Sequence, residues 1–187
     1  MSANLKERLL QTASELFYSQ GIKATGVDAI VKSAGTTKMS LYKYFASKDD
    51  LVLAYLFKRG NELRALISQG IDSRTDKPEE KLLAVFDIFS DLSANHDFRG
   101  CPFINAAAEF AEIDSSIAKA SGEFYQSFTV FLADLARQAN VKDPERLSAQ
   151  LVILLSGAMV NEQIFRNSVS LATARQAAVV LINSNLV

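Results

Sequence analysis

Residues 37–48 carry a set of side chains suited to binding phosphates and base edges. The set comprises three lysines, four hydroxyl side chains and one methionine: Lys38, Lys43, Lys48, Thr37, Ser40, Tyr42, Tyr44 and Met39. Ammonium and hydroxyl groups bind phosphate oxygens, and a few side chains near the start of a helix can reach base edges in a groove. We expect Thr37, Tyr42, Tyr44 and Lys48 to hold phosphates. Lys38, Met39 and Ser40 are expected to face bases, and Lys43 and Thr25 complete the candidate DNA-binding set.

A short helix is predicted immediately before this run. Thr25 can cap it, and Asp28, three residues later, would complete a capping box. Four apolar residues at helical spacing follow, namely Val27, Ile30, Val31 and Ala34. Gly35 then offers the left-handed conformation that ends many helices. The pattern predicts one helix with a single buried face.

A second short helix and the start of a third are predicted after Gly35. Thr37 is a plausible N-cap for the second helix, in which Leu41 and Phe45 lie at near-helical spacing. Ser47 and Asp50 form a capping box, so a further helix should begin at Lys48. Two short helices joined by a glycine-containing turn make a helix-turn-helix, whose second helix enters the major groove of DNA. From these residues alone, an ordinary helical hairpin stays an alternative.

Residues 34–51, AGTTKMSLYKYFASKDDL, resemble the signature of the TetR family of one-component transcriptional regulators. The resemblance lies in the Ala-Gly pair, Thr37 in place of a capping Ser, and five further positions: Leu41, Tyr42, Phe45, Lys48 and Leu51. Thr36 and Val31 depart from the usual aliphatic and Ala residues at the helix packing surface. The resemblance covers roughly the first quarter of the chain. It implies a DNA-binding domain followed by a helical domain that binds a ligand and dimerises.

Charge is distributed unevenly along the 187 residues, although the formal net charge is only −1. Residues 1–48 hold seven basic and three acidic side chains, whereas the remainder holds thirteen basic and eighteen acidic ones. A basic segment on an acidic body is typical of local DNA binding. No apolar run reaches the length of a membrane span without polar residues or Gly157, and no signal-peptide core follows the N-terminus. We therefore expect a cytoplasmic protein with no membrane partner.

The periodicity predicts an all-α fold of about nine helices. The predicted segments are 3–20, 25–34, a short helix after 37, 47–70, 78–94, 102–113, 116–139, 144–167 and 171–184. We expect a DNA-binding domain over 1–47 and a ligand-binding and dimerisation domain over 48–187. The helix from 47 is long enough, at about 1.5 Å per residue, to extend from one domain into the other.

Phenylalanines are concentrated between residues 86 and 131, where eight of the twelve occur. A packed core explains any single one, but a cavity walled by aromatic and a few polar groups is typical of a small-molecule site. The candidate ligand-binding residues are Phe86, Phe89, Phe103, Asn105, Glu109, Phe110, Phe124, Tyr125, Phe128 and Gln163. Because the nearest candidate charges are acidic, Glu109 and Glu112, we expect a neutral or cationic apolar ligand that pairs with Glu109.

Two apolar stripes near the C-terminus predict a homodimer. One stripe comprises Leu147, Leu151, Leu154, Leu155 and Ala158, and the other comprises Ala174, Ala177, Ala178, Leu181 and Ile182. Two such helices from each of two chains can form a four-helix interface. The alternative is that both stripes face the core of their own chain. A dimer would place two recognition helices about one DNA turn, ~34 Å, or a multiple apart, and so would require a near-palindromic operator.

No motif indicates an enzyme or a metal site. The chain has no Gly-rich phosphate loop, no GxSxG and no HExxH. Cys101 and His96 lack further ligands, so no metal or cofactor is predicted, and a lone Cys is more often a small buried hydrophobe than a redox sensor. The sequence therefore predicts a transcriptional regulator, and the resemblance to the TetR family implies a repressor that a small molecule releases. An all-α small-molecule-binding protein without DNA binding is the alternative.

Overall fold

The computed structural model describes residues 4–112, 114–166 and 169–187. Within these residues the regular elements are nine α-helices, and an isolated β-bridge joins Val141 to Leu186. The helices are α1 (Leu5–Gln20), α2 (Val27–Ser33), α3 (Lys38–Tyr44), α4 (Lys48–Asp72), α5 (Pro78–Ser93), α6 (Pro102–Glu109), α7 (Ser116–Gln138), α8 (Pro144–Phe165) and α9 (Ser170–Asn185). The predicted all-α fold is confirmed.

Three helices begin at the proline that the sequence predicts. Pro78, Pro102 and Pro144 each occupy the first position of a helix, where the missing N–H has no cost. The predicted helix from 102 ends at Glu109, earlier than expected. The predicted ends at Ala3, Ile113 and Asn167 lie outside the described residues.

The predicted capping role of Thr25 is wrong. Gly26 is the N-cap of α2, and no side chain caps this helix. The Thr25 hydroxyl instead donates to the carbonyl of Gly21 at 2.7 Å, at the end of α1, and its side chain is 1% exposed. A hydroxyl buried in this way is satisfied within the chain, so Thr25 is also removed from the DNA-binding set.

The caps predicted for α3 and α4 are present. The Ser40 N–H donates to Thr37 Oγ1 at 3.3 Å, and the Asp50 N–H donates to Ser47 Oγ at 3.0 Å. Each bond satisfies one of the N–H groups that a helix leaves without an intrahelical acceptor. Between α2 and α3, Gly35 adopts a φ of +62°, as its position in the sequence predicts.

We expect opposite effects on stability when alanine replaces Gly35 and Gly122. A Cβ at either position would meet nothing within 4 Å, so the substitutions differ mainly in backbone conformation. Gly35→Ala places a side chain in the left-handed region and should lower the free energy of unfolding by about 1 kcal/mol. Gly122→Ala lies inside α7 and should raise it by about 0.5–1 kcal/mol. Urea denaturation of both variants checks the signs, and two changes of the same sign would contradict the backbone argument.

Packing divides the chain into two units. The first comprises residues 1–61 and 102–122, and its core includes Leu9, Phe17, Ile30 and Leu41, all almost fully buried. Tyr55 packs edge-on against Phe17, with ring centroids 5.6 Å apart. This unit therefore contains α1–α3, the first half of α4, α6 and the start of α7. The packing boundary falls within α4, and a functional domain limited to residues 1–47 stays a prediction.

The second unit comprises residues 62–101 and 123–187. In it α8 and α9 pack against each other and both pack against α5. By length and composition, α8 alone among the described residues could span a membrane, with a mean hydropathy of 1.2 over 18 residues. Its buried residues, such as Leu147 and Leu151, belong to the core that α5 and α9 complete. This packing identifies α8 as the core helix of a globular unit.

Candidate functional site

Helix α3 presents a polar face to solvent and anchors itself through one residue. Leu41 is fully buried, whereas Met39 is 83% exposed. Lys38, Tyr42 and Lys43 are also exposed. Thr37 is exposed and Ser40, Tyr44 and Lys48 are half-buried around this face. Eight of the nine predicted DNA-binding residues are therefore accessible on α3 or beside its ends, and Thr25 is the exception.

Lys38 is held by an acid from the neighbouring helix. Its Nζ lies 2.8 Å from Asp28 Oδ1, and both side chains are exposed. The hydrogen bond and charge of Asp28 raise the pKa of Lys38 above its usual value. A base or phosphate that binds Lys38 must compete with Asp28.

Lys48 has a structural contact in addition to its predicted role. Its Nζ donates to the carbonyl of Ile22 at 2.7 Å, in the loop between α1 and α2. The bond connects the first residue of α4 to that loop. Lys48 retains further N–H donors for a phosphate.

Glu109 binds the same loop from α6. Its two carboxylate oxygens accept the N–H groups of Ile22 at 2.9 Å and Lys23 at 2.6 Å. The Lys23 ammonium lies 5.2 Å from the ring centroid of Phe110, which follows Glu109. The expectation that Glu109 pairs with a cationic ligand stays a prediction, and its two oxygens already accept backbone N–H groups of the first unit. Phe103, Asn105 and Phe110 lie in the same unit.

A cavity of about 230 Å³ lies within the second unit, between α4 and α7. Its described lining residues are Leu63, Arg64, Ile67, Ser68, Phe124, Ser127, Phe128 and Phe131. The Phe128 ring lies nearly parallel to those of Phe124 and Phe131, at centroid distances of 6.2 and 6.3 Å. The cavity thus has an aromatic wall on α7, with a guanidinium and two hydroxyls as its polar groups. Two of the ten predicted ligand residues, Phe124 and Phe128, line it.

The other predicted ligand residues of the second unit lie outside the cavity lining. Phe89 packs edge-on against Phe128 at 6.1 Å, and Phe86 is buried in the core. The Tyr125 hydroxyl donates to Cys101 Sγ at 3.5 Å and accepts from Ser156 at 3.4 Å, and burial raises the Tyr125 pKa. Gln163 lies against Gly100, where an added Cβ would come within 2.1 Å of its Oε1.

Comparison with known proteins decides the family. Residues 9–55 match the sequence model of bacterial regulatory proteins of the tetR family, and residues 78–178 match that of the tetracyclin repressor-like C-terminal domain. The chain belongs to the TetR family. The first match spans the helix-turn-helix and the second match alone covers more than half of the chain.

Individual relatives and solved structures agree with this assignment. The uncharacterized HTH-type transcriptional regulator YxaF of Bacillus subtilis is 31% identical over 68% of this chain and 68% of its own length. The HTH-type transcriptional activator FasR of Mycolicibacterium smegmatis is 37% identical over 50% of this chain and 42% of its own. The crystal structure of SCO4454, a TetR-family regulator of Streptomyces coelicolor, has a TM-score of 0.90 at 29% identity, covering 97% and 95% of the two chains.

Family membership establishes this chain as a DNA-binding transcriptional regulator. TetR regulators bind DNA operators and small-molecule effectors as dimers, and they are not enzymes. The alternative of a small-molecule-binding protein without DNA binding is therefore excluded. Among the described residues, no group of three or more His, Cys, Asp or Glu is placed to hold a metal ion.

The sequence analysis did not predict the three polar residues that line the cavity, Arg64, Ser68 and Ser127. Ser127 lies between Phe124 and Phe128, and the spacing 124, 127, 128 and 131 places all four on one helical face. Arg64 and Ser68 are likewise one turn apart on α4. The spacing would have identified Ser127, whereas Arg64 required knowledge of which side of α4 approaches α7.

Most of the predicted dimer residues lie in the core of their own chain. Seven of them are buried: Leu147, Leu151, Leu155, Ala158, Ala174, Ala178 and Ile182. Leu154 and Leu181 are half-buried, and Ala177 is exposed. The assignment of the buried seven to an interface is therefore corrected, because these side chains are buried within their own chain, where α8 and α9 pack against each other and against α5. The exposed apolar residues of these helices are different ones, with Ile153 71% and Val180 68% exposed.

Proposed function

We propose that this TetR regulator is a repressor that binds a near-palindromic operator as a homodimer. A small apolar molecule in the cavity between α4 and α7 releases it. The observation that carries the proposal is the exposed face of α3. It turns Lys38, Met39, Tyr42 and Lys43 toward solvent around the buried Leu41. A helix-turn-helix presents its second helix to the major groove in this way.

The roles on α3 follow from position. Lys38, Met39 and Ser40 lie in the first turn, where side chains reach base edges. Lys38 leaves its ion pair with Asp28 when it binds DNA. Tyr42 and Lys43 lie farther along the helix, with Thr37, Tyr44 and Lys48 around its ends, and they hold phosphates. Lys48 acts both on phosphate and on the loop carbonyl of Ile22.

The dimer interface that we propose uses the exposed faces of α8 and α9. On α8 this face contains Ile153 and Gly157, one turn apart, and on α9 it contains Ala177 and Val180. Exposed branched apolar side chains gain by removal from water, and Gly and Ala allow close helix approach. Leu154 and Leu181 border these residues. Two α8–α9 pairs then form a four-helix interface.

Release of the operator requires a ligand that binds one dimer geometry more tightly than another. The cavity includes residues of α4, and α4 also contains Lys48 of the first unit. We propose that α4 transmits ligand binding in the cavity to the first unit of each chain. The separation of the two recognition helices of the dimer changes as a result. Repression, rather than the activation named for the relative FasR, is the simpler mechanism, because a bound dimer blocks transcription without contacting polymerase. Action on DNA supports a cytoplasmic location for the protein.

The proposed roles on α3 predict two kinds of variant. A preferred site is first selected from a random DNA pool, where we expect an inverted repeat. Lys43→Ala should weaken binding to matched and mismatched sites alike and reduce the salt slope by about one. Ser40→Ala should weaken binding to the matched site by about 1–3 kcal/mol, because the contact with one base pair is lost. Its affinity for sites that are mismatched at that base pair should stay nearly unchanged. Fluorescence anisotropy at several salt concentrations measures both effects.

Lys142→Ala is the control for these variants, since Lys142 is an exposed lysine of the second unit. It should leave affinity and salt slope unchanged. If Lys43→Ala and Ser40→Ala gave the same loss on matched and mismatched sites, the division into phosphate and base contacts would be wrong. If the selected DNA contained no inverted repeat, the proposal of a near-palindromic operator would be wrong.

A further inference from the structure

The cavity between α4 and α7 contains a positive charge and no negative one among its described lining residues. Five of the eight are apolar, two are serines and one is Arg64. Within the described part of the chain, Arg64 forms one hydrogen bond, to Ser127, and has no acidic partner. An anion placed beside Arg64 would therefore supply the missing counter-charge.

We propose that this cavity binds a small aromatic monocarboxylate, with its ring against the α7 phenylalanines and its carboxylate on Arg64. The inference rests on the proposed function in one respect, namely that this cavity is the effector site. It names the chemical class of the effector and the residue that selects its charge. It also replaces the expectation of a neutral or cationic ligand.

Ser127 positions the guanidinium of Arg64. One Nη of Arg64 donates to Ser127 Oγ at 3.2 Å, and Ser127 Oγ donates to the carbonyl of Phe124 at 2.8 Å. The hydroxyl thus uses its proton on its own helix and offers a lone pair to the arginine. A guanidinium has five N–H donors in a planar fork, so donors remain for both oxygens of a carboxylate. This geometry favours a planar carboxylate over a point anion.

The aromatic wall limits the size and shape of the ligand. The Phe128 ring is nearly parallel to those of Phe124 and Phe131, with interplanar angles of 8° and 19°. Flat aromatic ligands stack on such rings at offset geometry. The volume of about 230 Å³ is below the range of about 300–1,000 Å³ for drug-sized ligands. One or two fused rings with a single carboxylate match this space.

Neutral and cationic ligands are less favoured by the same residues. Glu109, the acid expected to pair with a cation, holds the N–H groups of Ile22 and Lys23 instead. A cation in the cavity would lie beside Arg64 and would meet like-charge repulsion. A neutral ligand would gain the aromatic contacts but would leave the guanidinium without its counter-charge. The charge of the ligand therefore adds to the affinity that the aromatic contacts supply.

Isothermal titration calorimetry of the full-length protein tests this with three ligands of one shape: 2-naphthoate, 2-naphthamide and 2-naphthylmethylammonium. We expect 2-naphthoate to bind about tenfold more tightly than the amide, as a charge-assisted pair predicts. Arg64→Met should abolish that preference while leaving amide binding unchanged. Raising the salt concentration should reduce it, since Arg64 is exposed. Phe128→Leu should weaken both ligands.

Arg74→Met is the matched control, because Arg74 is another exposed arginine of the second unit that pairs with Asp91 and does not line the cavity. It should retain the tenfold preference. Equal binding of amide and carboxylate, or an unchanged preference in Arg64→Met, would overturn the proposal. Binding that survives Phe128→Leu in full would overturn the location.

Anisotropy of the operator complex, measured separately, distinguishes this inference from the proposed function. If 2-naphthoate binds through Arg64 and leaves the DNA complex intact, the ligand class stands and the regulatory role of the cavity fails. If instead a cationic or neutral compound releases the operator through this cavity while carboxylates do not bind, the proposed function stands and the present inference falls.

Discussion

Replacing Glu109 by alanine is expected to lower the free energy of unfolding by about 2–3 kcal/mol and to weaken operator binding several-fold. The carboxylate accepts two backbone N–H groups, of Ile22 and Lys23, across 86 residues or more of sequence. Hydrogen bonds to charged groups contribute about 1.5–3 kcal/mol each. We expect less than the full sum because the Lys23 bond is exposed and water can replace it.

The loss of DNA affinity follows from the position of the loop. Ile22 is bound on both sides, since its carbonyl accepts from Lys48 and its N–H donates to Glu109. The loop joins α1 to α2, and α2 packs against α3. Loosening the loop therefore increases the motion of the helices that present α3. Pre-organised contacts lose affinity when their support moves, even when no contact residue changes.

Two variants separate this mechanism from a general loss of charge. Glu109→Gln keeps one acceptor oxygen and should show an intermediate loss, whereas Glu112→Ala removes an exposed acid nearby and should change little. Chemical denaturation gives the free energies, and anisotropy with a selected operator gives the affinities. Equal denaturation midpoints for Glu109→Ala and Glu112→Ala would mean that the two loop bonds contribute nothing to folding.

Local signals predicted the helices because the caps act over three or four residues. Thr37 and Ser47 cap α3 and α4 as expected, and Gly35 takes the left-handed conformation. Thr25 shows where this reasoning stops. Its sequence context matched a capping box, but the end of α1 offered the Gly21 carbonyl at 2.7 Å. The Thr25 hydroxyl bonds this carbonyl, four residues earlier, and Gly26 takes the N-cap position of α2.

The candidate site residues, too, could be predicted only in part from the sequence. The residues on α3 could be predicted, because a seven-residue helix anchored by Leu41 must expose its other sides. The cavity could be predicted only in part. Its aromatic wall follows from the spacing of Phe124 and Phe128, but its charge comes from Arg64, 60 residues earlier on α4. Glu109 is the acidic residue that the sequence analysis assigned to the ligand site, yet it lies in the other unit.

The second large effect is expected at Val180, where glutamate should convert a dimer into a monomer. Val180 is 68% exposed on α9, so a charged side chain there is compatible with the fold of a single chain. In the proposed interface it would place an unpaired charge in an apolar contact, at a cost of several kcal/mol per chain. Operator affinity should then fall by orders of magnitude, because each chain holds only one half-site.

Light scattering after size exclusion measures the first effect, with a chain mass of 20.5 kDa expected for the variant and twice that for the parent. Gln69→Glu, on the exposed surface of α4, adds the same charge elsewhere and should stay dimeric.

Ala178→Glu is unsuitable for this test, because Ala178 is 0% exposed and a buried charge would unfold the unit itself. Helical content equal to that of the parent, measured by circular dichroism, would show that the Val180→Glu chain still folds and that assembly was lost. A Val180→Glu protein that remained dimeric and bound its operator would exclude the exposed face of α9 as the interface. Assembly would then have to use other exposed residues, since the stripe containing Ala178 is already covered within its own chain.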